Sequence, residues 1–570
     1  MSEMIHITMP GSRFSRGLLT GLGSVFIVCI MTVISGWAFN FDTGNPDLTV
    51  RWDNTLKYSA AMRTEGQTDK LISSLNQDDG DRAFDRGLIS NRFDMLSEMD
   101  VIYKGYGIRI SGAAWYDSLY DTSNDNDSPG TANAFSVPHN QFTDDTRDVH
   151  GLNGELLDAF FFGRKYLGDN ALSFRAGQYA MQWGESLFFG NNGIAGAMSP
   201  IDAVKLLSVP NTQFKEIIRP VPQASAQLQV GSKLSVGAYY QFGWKETRLP
   251  ASGSYFSNLD LFGEGGERLF GGPPLVPGGE MAAFYRGDDM EADDNGQGGM
   301  QVRYRLGEYD LGAYAILYHD KTPQLYAKPS VVDTPNGPVV LDPANFDPVA
   351  GKIGEYCLVY PENIQVYGAS ASTTFGFVNV ATEVSMRVNT PLVSDLQIVV
   401  PGVIADNDDN PLYAVGKSFH AQVSWLASME PSFIAREADF LGEIAYNKRV
   451  SIDKNPSALA SNASKEVIGI RMVYEPKYRQ VMPGLDIGVP LGLAYFPKGN
   501  SSVVGSFGPD KGGDMNVGLN LIYLDAWRIS LAYTHYYGPS DTFLDANNTF
   551  SFKQSYADRD FVSFSVSRTF

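Results

Sequence analysis

Hydrophobic and polar residues alternate along this chain over unusually long runs. Between Leu48 and Arg63 the apolar residues fall mainly on even positions and the charged residues on odd positions. Period-two alternation places the two sets on opposite faces of one β-strand. The same pattern recurs over 234–245, 378–389 and 514–523. Globular strands are usually about 5–6 residues long, whereas a tilted strand needs about 9–11 to cross a membrane. The pattern therefore predicts an all-β, transmembrane antiparallel β-barrel with an apolar outer face and a wet lumen.

The connections between these runs support the same architecture. Short turns, such as Lys104-Gly105 and Gly307-Glu308, alternate with long polar stretches, as between the two ends of an outer-membrane barrel. The sequence predicts strands that begin near residues 48, 91, 106, 156, 171, 221, 234, 296, 309, 363, 378, 415, 433, 466, 485, 513, 526 and 560. About eighteen strands follow. Sixteen is the alternative, because the segments near residues 171 and 363 alternate poorly. The last strand alternates and ends in Phe570, which is similar to the terminal assembly signal of outer-membrane barrels.

The first segment has the pattern of a secretory signal peptide. Arg13 and Arg16 precede an apolar stretch over 18–34, and small residues lead to a cleavage site after Ala38. A membrane anchor is the alternative. We expect residues 1–38 to be a signal peptide and residues 39–570 to form a single barrel domain. Cys357 is then the one remaining cysteine, which excludes a fold held by intramolecular disulfides.

Composition narrows the function classes. The formal net charge is −20, which argues against nucleic-acid binding because that needs clustered Lys and Arg. Charged residues make up 19% of the chain and aromatic residues 12%, which excludes a disordered protein. Outside the first 40 residues no apolar run is long enough for a membrane-spanning helix.

One long connection, 184–220, is expected to be partly helical. Ser199, Pro200 and Asp202 resemble an N-cap, a first helical position and an acidic first turn. A second short helix is predicted from Asn211 to Ile218. Such a loop would fold into the lumen as a constriction. An ordered lid at the outer mouth is the alternative.

Two sets of residues are candidates for the pore. The substrate and pore candidates are Trp183, Glu185, Phe188, Phe189, Lys205, Lys215, Glu216, Arg219, Tyr255 and Phe256. The candidate lumen charges, taken from the inward positions of the strands, are Arg51, Asp53, Arg92, Asp94, Glu98, Arg109, Arg303, Arg305, Glu383 and Arg387. The alternatives are that the aromatic residues pack the loops or form an interfacial girdle, and that the charges neutralise one another.

Metal and catalytic signatures are weak. Acidic runs occur at 78–81, 288–294 and 406–409, and none has the spacing of an EF-hand calcium loop. We expect solvated loop tips, which could also bridge divalent ions to lipopolysaccharide, and predict no metal site and no cofactor. Beyond the first segment there are five histidines, with no H-E-x-x-H and no G-x-S-x-G motif. The chain is not expected to be an enzyme.

Several motifs resemble the outer-membrane protein family known as domain of unknown function 1302. They lie at 78–87, 90–94, 112–117, 182–186, 188–190, 200–202, 215–216 and 255–256. Ser199 stands where family members usually have Asn, a change that would keep the helix cap. The resemblance implies a barrel that moves hydrophobic compounds such as steroids, hydrocarbons or lipids. It also implies partnership with an outer-membrane lipoprotein and a resistance-nodulation-division type inner-membrane transporter, and it carries no catalytic residues.

These observations predict a channel or transporter for hydrophobic or amphipathic compounds in the outer membrane of a Gram-negative bacterium, within a trans-envelope assembly. It would contact outer-membrane lipid and lipopolysaccharide. Two alternatives stay open at this point. One is a general diffusion porin for small polar solutes, and the other is a structural barrel that docks a periplasmic partner.

Overall fold

The structure, a computed structural model, describes residues 39–334 and 337–570. The predicted signal peptide, residues 1–38, lies outside this range. Within it, eighteen strand positions form one closed antiparallel barrel, which confirms the larger of the two predicted strand numbers. The barrel closes where the first strand pairs with the last, with Lys57 opposite Ser567 and Arg63 opposite Phe561. Closure satisfies the backbone hydrogen bonds of both edge strands, as a membrane-spanning sheet requires.

The strands have the following bounds: β1 Leu48–Arg63, β2 Gly87–Tyr103, β3 Tyr106–Asp117, β4 Leu152–Leu167, β5 Asn170–Tyr179, β6 Val221–Val230, β7 Leu234–Gln241, β8 Gln297–Leu306, β9 Tyr309–Tyr318, β10 Ile364–Phe375, β11 Val378–Pro391, β12 Val415–Met429, β13 Glu437–Lys454, β14 Glu466–Met482, β15 Leu485–Gly488 with Leu491–Lys498, β16 Gly512–Tyr523, β17 Trp527–Tyr537 and β18 Phe561–Thr569.

These bounds follow the sequence pattern closely. β15 is interrupted at Pro490, which has no N–H to donate to the ladder. A short strand, Phe39–Phe41, pairs with Val50–Trp52 and extends the sheet at the base of β1. The chain crosses from strand to strand through short turns at one end and long loops at the other. The short-turn end, which also holds the start of β1 and the end of β18, is the periplasmic end.

The two faces of the wall differ as the alternation predicts. On β11, Val384 is 41% exposed on the outer face while its neighbour Glu383 is 2% exposed on the lumen face. On β16, Met515 and Val517 point outward and are also exposed. An apolar band exposed on the outside of a barrel is a lipid-facing surface, since lipid tails cover it in the membrane.

The outer loops carry structure that the sequence pattern did not indicate. A five-stranded mixed sheet forms from Arg268–Gly272, Ala282–Arg286, Gln324–Pro329, Lys352–Val359 and Gln397–Ile398. Tyr326, Tyr356 and Cys357 of this sheet are at most 1% exposed. A two-stranded hairpin joins Val331–Thr334 to Gly337–Val340. The sheet thus forms a packed cap over the outer mouth rather than a set of solvated loops.

Helices are few and short. The α-helices are α1 Asp79–Arg82, α2 Asp144–His150, α3 Ala203–Ser208 and α4 Phe214–Ile217. Single 3-10 turns occupy Ser118–Asp121, Ile194–Ala197, Pro343–Asn345 and Pro456–Ala458. Across residues 39–334 and 337–570, no helix has the length and apolar character that a membrane span needs.

Candidate functional site

The connection between β5 and β6, residues 180–220, lies inside the barrel. Its first half is fixed to the inner wall of β11, β12 and β13 by hydrogen bonds to buried side chains. The prediction that this loop folds into the lumen is confirmed, and the alternative of an outer lid is wrong.

Glu383 on β11 holds two points of this segment. Its carboxylate accepts the backbone N–H of Glu185 at 2.7 Å and that of Ile194 at 2.5 Å. Gly184, with φ +98°, brings the chain so close that a Cβ at this position would collide with the Glu383 carboxylate. Glycine is therefore required next to Trp183 both for its backbone conformation and for the close approach.

Glu443 on β13 holds the next turn. Its Oε2 accepts the N–H groups of Leu187, Phe188 and Phe189 at 3.2, 2.5 and 2.8 Å. Successive N–H groups around one anion form a small concave binding nest. The Glu443 carboxylate is fully buried, and its charge is stabilised by hydrogen bonds from the loop backbone. These hydrogen bonds fix the position of the loop.

A buried chain of side chains fixes the bend at Asn192. The Asn192 Oδ1 lies 3.2 Å from His420 Nδ1, and His420 Nε2 lies 2.8 Å from Ser418 Oγ. This resembles the order of a hydrolase nucleophile, base and orienting group. All three residues are at most 1% exposed. On the other side of the bend, Arg387 donates to the carbonyls of Asn191 and Gly193. The arrangement positions the loop.

The lumen wall beneath the segment is apolar over β7, β9 and β10. Ile194 and Met198 are fully buried there against a set of wall side chains. The wall residues are Tyr239, Tyr314, Ile316, Tyr318, Ile364 and Val366. Trp183 packs edge-on against Tyr239 with ring centroids 4.9 Å apart. A water-filled lumen is normally polar, so this part of the wall is built to bury the loop.

The second half of the segment contains α3. Asp202 caps α3 by accepting the N–H of Lys205 at 2.9 Å. The predicted cap, Ser199, instead donates to the Met181 carbonyl, because residues 201 and 202 are held extended by bridges to Ile218 and Arg248. The prediction of a helix start at Ser199 is therefore wrong by three residues.

A charge network ties α3 to the wall. Arg248 pairs with Asp202 at 2.6 Å and with Glu155 of β4 at 2.7 Å, and Lys205 pairs with Glu155 at 2.9 Å. The cations of Lys205 and Arg248 also lie over the ring of Trp115, 5.1 and 5.6 Å from its centroid. Attraction to the ring face adds to the ion pairs. Lys205 thus serves as an anchor and is 4% exposed.

α4 lies deeper in the barrel. Its start is closed by Gln213, whose backbone N–H donates to Glu216 at 3.2 Å, and the predicted second helix is shorter than 211–218. Lys215 donates to Glu98 on the lumen face of β2. Two apolar side chains next to these anchors stay uncovered: Leu206 is 52% exposed and Phe214 is 65% exposed. Because Lys205 and Lys215 are attached to the wall, these apolar groups are exposed within the lumen.

The charged side chains at the periplasmic end of the lumen form ion pairs with one another. Arg51 pairs with Asp53 at 3.0 Å and with Asp100 at 2.9 Å, and Arg109 pairs with Asp100 at 2.7 Å. Elsewhere on the wall Arg92 pairs with Asp94, Arg303 with Glu185 and Arg305 with Asp310, and Glu98 pairs with Lys215. Glu383 and Arg387 differ, because they bind the backbone of the inward segment. The wall of β1–β3 near the periplasmic end is therefore a ladder of alternating charge.

The aromatic candidates do not meet in one pocket. Trp183 belongs to the cluster on β7–β10, and Phe189 packs on Phe496 and Phe507 with centroids 6.0 and 5.7 Å away. Tyr255 and Phe256 lie in a third cluster under the outer loops, at most 3% exposed. The structure thus divides these four aromatic side chains among three packed regions, while Phe188 is held through its backbone N–H by Glu443.

A polar cavity of about 340 Å³ adjoins the end of the segment. Arg219 and Arg248 line it together with four acids, Asp145, Asp148, Glu246 and Glu264. Burial lowers the pKa of the Arg219 guanidinium and raises that of the Glu264 carboxyl. Arg219 also donates to the Glu246 carbonyl at 2.6 Å. The space next to the end of the loop is therefore charged, and none of the aromatic candidates lines it.

Sequence reasoning missed several residues that build this site. Glu155 and Trp115 occupy inward positions, so strand parity could have found them, while Asn192 and Arg248 lie in irregular chain without any periodic signal. Leu206 and Phe214 carry no sequence signal either, because the exposure of an apolar side chain depends on tertiary packing.

Comparison with known proteins gives one family and several distant structures. No curated protein sequence matches the chain. The outer membrane channel DcaP of Acinetobacter baumannii is similar at 9% identity and a TM-score of 0.36, with 94% of this chain and 100% of that chain covered. OccAB3 of the same organism is similar at 10% identity and a TM-score of 0.43, with 91% of this chain and 99% of that chain covered. OccD3 (OpdP) of Pseudomonas aeruginosa is similar at 9% identity and a TM-score of 0.39, with 94% of each chain covered.

One protein-family model matches far more than half of the chain. The model described as "Protein of unknown function (DUF1302)" matches residues 19–570. This range contains every motif on which the resemblance was based, together with the whole barrel and its inward segment. The chain, an outer-membrane β-barrel, therefore belongs to the DUF1302 family.

Proposed function

We propose that this barrel is a channel for hydrophobic or amphipathic compounds of the lipid, steroid or hydrocarbon class. The observation that carries the proposal is the pair Leu206 and Phe214, exposed inside the lumen on α3 and α4. Apolar groups left in contact with water are unfavourable by roughly 1.5–3 kcal/mol for each large side chain. Such a surface inside a transport path suits a ligand with an apolar body.

The surroundings of this apolar surface favour an amphipathic ligand. Lys215 and Glu98 lie beside Phe214, with the charge ladder of Arg51, Asp100 and Arg109 on the same part of the wall. A molecule with an apolar body and a charged head would contact both surfaces at once. The charged cavity around Arg219 would receive the head group nearer the outer mouth.

Binding of cholate, an amphipathic steroid, tests the proposal. The purified protein in lipid nanodiscs is titrated with cholate below its micelle concentration, and binding is measured by calorimetry. We expect saturable binding, weakened about tenfold or more in the double variant Leu206→Ser with Phe214→Ser, since two apolar contacts are lost. Leu275→Ser, at a 47% exposed position of an outer loop, is the matched control and should bind as the wild type does.

The main rival is a general diffusion porin. It is supported by the polar cavity and by the paired lumen charges, which suit small polar solutes. Equal cholate binding by wild type and double variant, together with free passage of sucrose through the protein in liposomes, would favour the porin and contradict the proposal.

Assembly with an outer-membrane lipoprotein and a resistance-nodulation-division type transporter is a further part of the proposal. The periplasmic turn 430–436 supports it, because Phe433 is 99% exposed and Ile434 is 46% exposed there. Apolar groups so exposed at the periplasmic end are typical of a contact surface. Co-purification from native membranes, compared between wild type and Phe433→Ser, tests this part, and equal recovery of partners would argue against the turn as the contact. A barrel with only a structural role would instead keep its phenotype when the lumen residues Leu206 and Phe214 are changed.

A further inference from the structure

Three aspartates meet below the surface of the outer cap. Asp78 and Asp79 lie at the start of α1, and Asp260 comes from the loop between β7 and β8. Each offers one carboxylate oxygen, and the three oxygens lie within 4.8 Å of one another. Asp78 and Asp260 are fully buried and Asp79 is 7% exposed. The run at 78–81 is therefore not the solvated loop tip that its sequence suggested.

Two of the buried oxygens lack a hydrogen-bond partner among the described residues. Asp260 Oδ2 accepts the backbone N–H of Asp79 at 3.2 Å, whereas Asp260 Oδ1 has no partner. Asp78 Oδ2 pairs with Arg82 at 2.6 Å, and Asp78 Oδ1 has none. A buried anionic oxygen without a partner is strongly unfavourable, and native proteins satisfy such groups with a donor or a metal ion.

The cluster also has an excess of negative charge. Across the described residues, Arg82 is the one cation in an ion pair with a member of the cluster, and it contacts Asp78. Asp79 and Asp260 form no ion pair there. Three acids at such close range need either protons or a cation to stay buried.

We propose that Asp78, Asp79 and Asp260 bind one divalent cation of the Ca²⁺ class. Carboxylate oxygens supplied by separate loops suit Ca²⁺, a hard cation that accepts irregular oxygen cages. Asp79 Oδ1 accepts from Asn126 Nδ2 at 3.0 Å and Asp79 Oδ2 accepts from the Asn133 N–H at 2.8 Å, and these two hydrogen bonds hold its carboxylate next to the other two acids.

The cation would tie together three outer loops. Asp78 and Asp79 belong to the loop after β1, Asp260 to the loop after β7, and the partners of Asp79 to the loop after β3. These loops already touch closely, since a Cβ at Gly80 would lie 2.6 Å from the carbonyl oxygens of Ser254 and Ser257. Bound Ca²⁺ would therefore stabilise the cap over the outer mouth, and its removal would loosen the cap while leaving the barrel wall closed.

Radioactive Ca²⁺ binding to the full-length protein tests the proposal. The protein is refolded into detergent without lipopolysaccharide, stripped with a chelator and equilibrated with ⁴⁵CaCl₂ by dialysis. We expect one saturable Ca²⁺ per chain, lost in Asp260→Asn and retained in Asp144→Asn. Asp144 is the matched control because its side chain is 91% exposed on the neighbouring loop. Equal Ca²⁺ binding by wild type and Asp260→Asn, or no binding by the wild type, would overturn the proposal.

A second measurement covers the case in which Asp260→Asn does not fold. Limited proteolysis of the chelator-treated wild type is followed with and without added CaCl₂, and the cleaved sites are identified by mass spectrometry. We expect Ca²⁺ to protect the loops after β1 and β7 and to leave the loop after β13 unchanged. Cleavage of those two loops at the same rate with and without Ca²⁺ would show that protonation, not a cation, neutralises the cluster.

Discussion

At the scale of single residues, His150 makes the outer cap sensitive to acid. The ring is 2% exposed, stacks on Tyr120 at 4.8 Å and accepts the Ala251 N–H on Nε2 at 3.2 Å. Burial lowers its pKa to about 3, with the nearby Arg92 and Arg248 acting in the same direction. An unfolded histidine takes up a proton near about pH 6.5. Stability from the neutral ring is therefore present above that pH and is lost as the pH falls toward about 3.

We predict that His150→Gln removes this part of the pH dependence. Gln still accepts the Ala251 N–H through its amide oxygen and does not titrate. Between about pH 6.5 and about pH 5, the wild type should lose about 2 kcal/mol more unfolding free energy than the variant. Urea titrations followed by tryptophan fluorescence measure the difference. His139→Gln, in the same loop, is the control, and a His150→Gln protein with unchanged pH dependence would contradict the assignment.

The sequence predicts which face of a strand a residue occupies, but not which distant segment its side chain contacts. Strand parity predicts Glu383 and Arg387 as lumen-facing, because the period of two fixes the face, and both side chains are buried. It did not indicate that Glu383 binds loop backbone, since that contact depends on a segment about 190 residues away in sequence. The burial of Asp78 and Asp79 was missed for the same reason.

At the scale of elements, the inward segment depends on two wall carboxylates. Glu443→Gln keeps the size of the side chain but places an N–H₂ group against the N–H donors of Leu187, Phe188 and Phe189. Loss of hydrogen bonds to a charged group costs about 1.5–3 kcal/mol. The segment should therefore detach more often and become accessible to protease from the lumen.

Protease cleavage within 183–199, mapped by mass spectrometry, measures this effect. Glu437→Gln is the matched control on the same strand, because Glu437 pairs with Arg479 at an exposed position. If Glu443→Gln and Glu437→Gln leave the segment equally protected, then the carboxylate does not hold it in place.

The elements themselves divide into those that the sequence predicts well and those that it does not. Every barrel strand begins within a few residues of its predicted start, because membrane-crossing strands must alternate over their full length. The helix start at Ser199 was wrong because extended pairing with Arg248 and Ile218 outcompetes local capping preference. The cap sheet has both faces buried, so it lacks the alternation that reveals a half-exposed strand.

At the scale of the whole molecule, the lipid-facing surface makes a direct prediction. Val517 on β16 is 53% exposed on the outer face, and Asn516 next to it faces the lumen. Arginine at a lipid-facing position near the middle of the membrane costs about 2–4 kcal/mol. Val517→Arg should therefore destabilise the barrel by about this amount. Asn516→Arg should cost less, chiefly its hydrogen bond to Thr534.

Urea-dependent folding into lipid vesicles, read from the heat-modifiable gel band, compares these two variants. Equal destabilisation by both would mean that the two faces of β16 are in similar surroundings, which contradicts the membrane orientation.

Single-channel conductance in planar bilayers tests the central claim most directly, namely that the segment 180–220, held to the wall by Glu383 and Glu443, narrows the lumen of an amphipathic channel. The wild type should show a small conductance or none, and the double variant Glu383→Gln with Glu443→Gln should show a larger one because the segment is released. A large, steady and unspecific current from the wild type, unchanged in the double variant, would contradict the account.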